Sequence, residues 1–171
     1  YEGYHGLSFA EEFGPTAFTM MARAEGMRDM GPCLAPQNAW NILHGLETLS
    51  LRMEKHCSNA LKMVEYLSNH ESVAWVSHAS APGHPDKELA EKILPKGTGS
   101  MIAFGIKGGK EAGAAFINNV KLASHLANVG DARTLVIHPA SATHSQMDEA
   151  TLKFAGLSHA MLSLSVGLED F

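Results

Sequence analysis

The sequence is poor in the features that mark several protein classes. Its 171 residues include only two cysteines, Cys33 and Cys57, which show neither CxxC nor Cys/His metal-ligand spacing. This predicts no zinc site and no disulfide framework, and favours two reduced thiols in a cytosolic protein. No apolar run approaches the roughly 20 residues that span a bilayer. The first nine residues have no basic flank and no sustained apolar core, which is not typical of a signal peptide.

Charge of either sign is also sparse. The formal net charge is -5, only 18% of the residues are charged, and the basic residues are scattered singly. Such a chain has no continuous row of basic residues to neutralise phosphates. We therefore expect neither nucleic acid nor an anionic membrane surface as a partner. An apolar fraction of 45% is that of an ordinary soluble globular protein. A start at Tyr1 rather than Met suggests a processed, trimmed or partial polypeptide.

Helices and strands alternate through the second half of the chain. Period-two runs predict strands, and period-3.6 runs bounded by Pro, Gly or Asp predict helices. The predicted strands are 73–77, 100–107, 134–137 and 161–167, and the predicted helices are 86–94, 110–120 and 148–154. The alternation indicates an α/β fold in which helices pack on a small sheet.

The first half of the chain is predicted to be helical. Pro15 begins a helix that Gly31 ends, and Pro36 opens the longest periodic segment, which continues to Asn69. A single helix of that length spans roughly 50 Å at 1.5 Å per residue, more than the width of a small domain. It therefore bridges two bodies or bends, and Gly45 is the predicted weak point because glycine destabilises a helix by about 1 kcal/mol against alanine.

Two patterns invite a ligand-binding interpretation that their spacing does not support. The segment 105–110, GIKGGK, is not a Walker A loop, because Phe104 stands where the first glycine is required. A simple turn between strand and helix is favoured. His125, His138 and His144 form no HxxxH pair, and no carboxylate or thiol completes a metal-ligand set. Capping, loop or surface roles are favoured for these histidines.

The central stretch of the chain runs from 122 to 146 and reads LASHLANVGDARTLVIHPASATHSQ. A turn containing Asn128 and Gly130 leads into a short apolar strand, which His138 and Pro139 end. Polar residues thus lie at both ends of the strand. Loops held by a rigid scaffold often carry functional residues, so we expect function at these strand ends.

This stretch resembles the carboxyl-terminal region of the pyridoxal-phosphate enzymes of cysteine and methionine metabolism, and within them the O-acetylhomoserine sulfhydrylase branch. Further blocks match in order: YHGLSFAEEFGPTAF, LAPQNAWNILHGLETLSLRMEKHCSNALK, HPDKELAEKILPKGTG and LSVGLED. The resemblance implies the small carboxyl-terminal domain of a fold-type I pyridoxal-phosphate enzyme, preceded by helices of the large domain and a long bridging helix. Residues 1–54 would then end the large cofactor-binding domain and start the bridging helix. Residues 55–171 would form the small domain without its final helix, with the boundary near Lys55.

The resemblance also implies a chemistry. In such enzymes a lysine holds pyridoxal phosphate as a Schiff base, the ring takes up carbanion charge, and the substrate loses its γ-substituent before sulfide or a thiol adds. That lysine and the phosphate-binding residues would lie in an amino-terminal half that this chain lacks, so the fragment alone is expected to be inactive. The whole enzyme would make homocysteine or methionine from O-acetylhomoserine and sulfide or methanethiol.

Several alternatives stay open beside that activity. The whole protein could be a methionine γ-lyase or cystathionine γ-synthase of the same family, or this chain could be a non-catalytic fragment or a degenerate paralogue. The resemblance implies a cytoplasmic enzyme that assembles as a dimer of dimers, or one completed by a companion amino-terminal chain.

The part of the enzyme represented here would bind the substrate's α-carboxylate. By the resemblance, the side-chain amide or the backbone of Asn128 in the NVGDA turn would donate to a carboxylate oxygen, although its residue type is equally typical of a left-handed turn position. The family's carboxylate-binding arginine aligns with Ser163, whose hydroxyl is short and neutral. Thr143, in the SATH loop, is a further candidate that positions the site.

Ser163 departs from the family pattern at the position that matters most for substrate binding. Charge-assisted hydrogen bonds contribute roughly 1.5 to 3 kcal/mol each, so losing a bidentate pair predicts on the order of 100-fold weaker amino-acid binding. Three accounts remain: another cation substitutes, the site accepts a different substrate, or the protein no longer catalyses. An altered or erroneous residue in this particular chain is a fourth.

Overall fold

A computed structural model of the chain describes residues 2–170, which form two compact units that divide between Glu47 and Thr48. The domain boundary that we predict near Lys55 lies further along the chain, inside the first helix of the second unit, and stays a prediction. Among the described residues, no helix is both long enough and apolar enough to cross a membrane.

The first unit consists of short helical segments. They are a 3-10 turn (Glu2–Tyr4), α1 (Phe9–Phe13), a 3-10 turn (Gly14–Thr16), α2 (Ala17–Met21), a π-helical turn (Ala22–Met27), α3 (Arg28–Met30) and α4 (Pro36–Glu47). Gly31 ends α3 in the left-handed conformation, with φ 59°. None of residues 2–47 is buried, and the side chains of Phe18 and Met30 are 84% and 85% exposed. This unit therefore has no hydrophobic core among its described residues.

The predicted continuous helix from Pro36 to Asn69 is interrupted, at Thr48 rather than at Gly45. The helices are α4 and α5 (Leu49–Asn69), and Thr48 between them has φ -107° and ψ 6°. The Thr48 hydroxyl accepts a hydrogen bond of 3.3 Å from the Arg52 side chain. Threonine has a low helix propensity, and Thr48 makes no side-chain hydrogen bond to the backbone of α5.

The second unit alternates helices and strands as the sequence predicts. After α5 come β1 (Val73–Ser77), α6 (Lys87–Ile93), β2 (Met101–Ile106), α7 (Gly109–Asn119), β3 (Ser124–His125), β4 (Leu135–Ile137), a 3-10 turn (Pro139–Ser141), α8 (Glu149–Phe154) and β5 (Met161–Ser165). Each predicted helix and strand of this half is present within a few residues of its predicted bounds. The two-residue strand β3 was not predicted.

The strands form one sheet in the order β1-β2-β5-β4-β3. All neighbouring pairs are antiparallel except β3 and β4, which are parallel. The last strand along the chain thus lies at the centre of the sheet. There Ser163 pairs with Ala103 of β2 on one side and with Ile137 of β4 on the other.

Alternation along the strands separates a core face from a second face. On the core face, Ile102 and Phe104 of β2 and Leu162 and Leu164 of β5 are buried. Helix α5 contributes Ala60, Val64 and Leu67 to this core, and α7 contributes Ile117. The odd-numbered residues of β2 and β5, including Ser163, consequently lie on the second face.

A network of hydrogen bonds, which we call the latch, joins α5 to the chain just after β5 and to the start of β4. Its members are His56, Asn59, Thr134, Val166, Gly167 and Glu169. The Asn59 amide donates to Gly167 O at 3.1 Å and to Glu169 O at 2.7 Å. The His56 Nδ1–H donates to Val166 O at 2.7 Å, so the chain leaving β5 is held by two residues one helical turn apart.

The second half of the latch centres on the carboxylate of Glu169. It accepts hydrogen bonds from the Thr134 N–H at 2.6 Å and from the Thr134 hydroxyl at 2.8 Å. The same hydroxyl accepts from the Gly167 N–H at 2.9 Å. A Cβ at position 167 would lie 2.5 Å from the carbonyl carbon of Arg133 and 2.5 Å from the nitrogen of Thr134, so only glycine fits there.

We predict that Asn59→Ala lowers the free energy of unfolding by roughly 1 to 3 kcal/mol, because it removes the hydrogen bonds to the buried Gly167 carbonyl and the partly buried Glu169 carbonyl. Urea denaturation of the chain measures the loss. The matched control is Asn69→Ala in the same helix, where the amide donates to Glu65 O at an exposed position. We expect a change within about 0.5 kcal/mol there. Equal effects of the two substitutions would contradict the latch.

The latch also predicts a pH dependence of stability. Partial burial raises the pKa of the Glu169 carboxyl, but the hydrogen bonds from Thr134 outweigh it, and the net pKa lies below the ordinary value of 4.5. Because the folded-state pKa is lowered, the stabilisation is complete above pH 4.5 and is lost as the pH falls through the folded-state value. Urea denaturation should show that Glu169→Gln destabilises the chain at pH 7 and that the gap to wild type narrows in acid. Glu91→Gln, exposed on α6, should show no such gap at any pH.

Candidate functional site

A cavity of about 300 Å³ lies at the centre of the second face of the sheet. Strands β2, β4 and β5 supply one side of it, and the turn before β4 supplies the other. The lining residues are Met101, Leu126, Ala127, Asn128, Val129, Leu135, Ile137, Ser163 and Ser165. The structure thus brings Asn128 and Ser163, which lie 35 positions apart in the sequence, to one cavity.

Local turn chemistry orients Asn128. Its Oδ1 accepts a hydrogen bond of 2.9 Å from the Val129 N–H, and Gly130 follows with φ 75°. Asn128 therefore stabilises the turn, as its residue type alone suggests, but only its side-chain oxygen takes part. The Asn128 Nδ2 group has no partner among residues 2–170 and remains available as a hydrogen-bond donor.

The same turn engages the nearest arginine in sequence. The Arg133 Nε lies 3.3 Å from Asp131 Oδ1, which also accepts from the Arg133 N–H at 3.0 Å. Hydrogen bonds from the Arg133 backbone and side chain hold the pKa of the Asp131 carboxyl below its ordinary value, so this pair stays charged. Arg133 does not line the cavity and does not replace the family's arginine there.

The two serines of β5 occupy the floor of the cavity. Ser163 is half-buried, whereas Ser165 is 2% exposed and its Oγ has no hydrogen-bond partner in the described chain. Ser165 pairs with Met101 on one side and with Leu135 on the other. Sequence analysis did not single out Ser165, although alternate residues of a strand share a face and the period-two pattern could have found it.

Thr143 is not brought to the cavity. It is exposed, and its Oγ1 lies 2.8 Å from Nδ1 of His144. The role that we predict for it in positioning the site stays a prediction.

His138 is fully buried and anchors the loop that follows β4. Its Nε2–H donates to His159 O at 2.8 Å, and its Nδ1 accepts from the Ser141 hydroxyl at 2.8 Å. This is the loop role favoured over metal binding. Throughout residues 2–170, no three His, Cys, Asp or Glu side chains are grouped so that they could hold a metal ion.

The lining residues determine what the cavity can do chemically. It contains no lysine to form a Schiff base, no cation to hold a phosphate, and no histidine or carboxylate to activate Ser163 as a nucleophile. These residues therefore do not fit pyridoxal phosphate itself. They fit the binding and orientation of a small group through a neutral amide and neutral hydroxyls.

Comparison with known proteins identifies relatives over nearly the whole chain. A family model described as Cys/Met metabolism PLP-dependent enzyme matches residues 13–171. O-acetyl-L-homoserine sulfhydrylase 1 of Thermus thermophilus is 50% identical over 98% of this chain and 40% of its own length. O-acetyl-L-homoserine sulfhydrylase of Corynebacterium glutamicum is 48% identical over 97% of this chain and 38% of its own length. The chain thus spans about 40% of the length of the curated relatives that it matches.

Two solved structures share the fold. A putative O-acetylhomoserine (thiol)-lyase from Campylobacter jejuni, which contains N'-pyridoxyl-lysine-5'-monophosphate, matches 99% of this chain with a TM-score of 0.80 and 36% identity. Cystathionine gamma synthase from Xanthomonas oryzae, in complex with aminoacrylate and cysteine, matches 91% with a TM-score of 0.75 and 32% identity. Only 40% and 38% of those two chains are covered. The predicted α/β fold class is confirmed.

Proposed function

The chain belongs to the Cys/Met metabolism PLP-dependent enzymes, and from this membership we propose that it is the carboxyl-terminal portion of an O-acetylhomoserine sulfhydrylase-like enzyme. The whole protein replaces the acetoxy group of O-acetylhomoserine by sulfide or methanethiol and makes homocysteine or methionine. The fragment alone is inactive, because the cavity of this chain holds neither a lysine nor a phosphate-binding cation. Residues 1–54 belong to the large cofactor-binding domain and the start of the bridging helix, and residues 55–171 to the small domain.

The convergence of Asn128 and Ser163 on one cavity is the observation that carries this proposal. The resemblance aligns both positions with a substrate-carboxylate site, and nothing in their sequence spacing requires them to meet. In our proposal the cavity receives the carboxyl end of the amino-acid substrate. Asn128 donates through Nδ2 and Ser163 through its hydroxyl, and Thr143, which does not line the cavity, acts indirectly from the loop that follows β4.

Pyridoxal phosphate supplies the electron sink of this chemistry when it is bound. We propose that its Schiff-base lysine comes from polypeptide outside this chain, since no lysine lines the cavity. The residues described here bind and orient the substrate, and Leu126, Val129 and Ile137 supply the apolar part of the cavity wall. Assembly as a dimer of dimers, or with a companion amino-terminal chain, and a cytoplasmic location belong to the same proposal.

The alternatives differ in what supports them. Between the two solved structures, the O-acetylhomoserine (thiol)-lyase is 36% identical with a TM-score of 0.80 and the cystathionine gamma synthase is 32% identical with a TM-score of 0.75, which favours the sulfhydrylase over the synthase. A γ-lyase differs from both in the fate of the substrate and would be distinguished by pocket residues outside this chain. A non-catalytic protein is favoured only by the neutral residue at position 163.

The full-length protein tests the proposal directly. We expect the purified protein to carry the yellow absorbance of pyridoxal phosphate and to form homocysteine from O-acetylhomoserine and sulfide. Cystathionine formed from cysteine, or an α-keto acid released without sulfide, would instead identify the synthase or the lyase. A protein that is fully occupied by the cofactor but turns over none of these substrates would support the non-catalytic alternative.

A substitution at position 163 tests the carboxyl-end site. Ser163→Arg in the full-length protein should tighten the binding of amino acids with a free α-carboxylate by on the order of 100-fold, because it restores a bidentate, charge-assisted pair. Equilibrium titration with such an amino acid measures the change. The matched control is Asn118→Arg, which adds the same charge at an exposed position of α7 outside the cavity. An unchanged affinity in Ser163→Arg would show that the carboxylate-site assignment is wrong.

A further inference from the structure

Residues 126–134, which we call the return loop, join the parallel strands β3 and β4. Parallel neighbours are usually connected by about a dozen residues or more, so this shorter connection has to fold back sharply on itself. Its first part, 126–129, lines the cavity on the second face of the sheet. The path of the return loop therefore decides where Asn128 lies relative to the cavity.

Backbone hydrogen bonds anchor the last part of the return loop to the sheet. The Thr134 carbonyl accepts from the Ser124 N–H at 2.9 Å, and the Ala132 carbonyl accepts from the Leu168 N–H at 2.8 Å. In the part of the chain that the structure describes, no backbone hydrogen bond joins two residues of the loop itself. The shape of the loop consequently depends on side-chain hydrogen bonds.

Two side chains close hydrogen bonds inside the return loop, and both belong to residue types that favour turns. Asn128 Oδ1 accepts from the Val129 N–H at 2.9 Å, which orients Asn128 itself. Asp131 Oδ1 accepts from the Arg133 N–H, two residues further on, at 3.0 Å. Asp131 thus links the segment that carries Asn128 to the anchored segment that leads into β4.

The Asp131 carboxylate makes both a backbone hydrogen bond and an ion pair. Its oxygens also lie 3.3 Å from Arg133 Nε and 3.4 Å from Arg133 Nη2. The Arg133 side chain is 65% exposed, and exposed ion pairs contribute little because water competes for both charges. The Asp131 side chain is only 21% exposed, and its bond to the Arg133 N–H is the shortest of the three. The backbone bond is therefore the one that holds the loop.

We propose that Asp131 is a positioning residue of the substrate-carboxylate site. Its bond to the Arg133 N–H fixes the return loop, and the loop holds the Asn128 Nδ2 group at the cavity, where this group donates to the substrate. Asp131 does not line the cavity, so its effect on binding passes through Asn128. The proposal rests on the proposed function and adds a residue to the same site.

Equilibrium titration of the full-length protein, with its cofactor, by L-norleucine tests the proposal. This amino acid has a free α-carboxylate and no γ-substituent that can leave, so binding is measured without turnover. We expect Asp131→Ala to bind it about 10-fold more weakly, because the Asn128 donor is displaced and a hydrogen bond to a charged group is lost. Asp131→Asn should restore tight binding, because the asparagine oxygen accepts from the Arg133 N–H as the carboxylate does. Arg133→Ala is the matched control, which removes the ion pair but keeps the N–H, and should stay within about 2-fold of wild type.

A second substitution separates positioning from a merely structural role. Asn128→Ala alone should weaken binding about as much as Asp131→Ala does. The double variant should bind no more weakly than Asn128→Ala, because both changes remove the same hydrogen bond to the substrate. A loop residue that only stabilised the fold would instead lower the urea midpoint and leave the affinity of the folded protein unchanged.

The inference is wrong if Asp131→Ala binds like wild type, if Asp131→Asn binds as weakly as Asp131→Ala, or if the effects of the two alanine substitutions add in the double variant. A wild-type protein that does not bind L-norleucine would overturn it together with the carboxylate site. The proposed function is judged separately, by the cofactor's absorbance and by homocysteine formation. A protein that makes homocysteine but whose Asp131→Ala variant binds normally refutes the inference alone. One that shows the expected affinities but forms no homocysteine refutes the function alone.

Discussion

The hydrogen bonds of Asn59 and Glu169 are the constraint on which the site depends. Strand β5 comes last along the chain but lies in the middle of the sheet, so both of its neighbours are fixed by its position. The latch holds the chain just beyond β5 to helix α5 and to Thr134 at the start of β4. Because β4 and β5 both line the cavity, a small set of polar contacts on the core side sets the geometry of the opposite face.

The shape of the cavity and the charge of its lining depend on different features of the chain. The cavity, the Asn128 turn and the position of Ser163 follow from backbone hydrogen bonding, and none of them requires a cation at position 163. The residue at position 163, in contrast, decides whether the described lining contains a charge, because the other lining residues are neutral. A fold that keeps its architecture can therefore change its ligand through a single residue, which is how function is commonly distributed on a shared scaffold.

The sequence predicted those parts of the fold that depend on local pattern. The alternation in 100–107 correctly predicted strand β2, in which Ile102 and Phe104 are buried, because burial on one side of a strand imposes a period of two. The predicted bend in the long helix was placed at Gly45, three residues before the observed break at Thr48, because the apolar period continues on both sides of the break. Strand β3 was missed because two residues carry no period.

The site was less accessible to prediction than the fold. Only the resemblance pointed to Asn128 and Ser163 as a pair, since residues that far apart in sequence meet through the strand order, which no local pattern specifies. Gly167, in contrast to these site positions, is constrained by folding alone. A methyl group there would collide with the backbone whether or not the protein binds a substrate. Folding alone would preserve that glycine in a descendant that had abandoned catalysis. The Val166–Gly167 step after β5 therefore reports on the architecture of the domain, whereas position 163 lines the cavity and bears on what the cavity can bind.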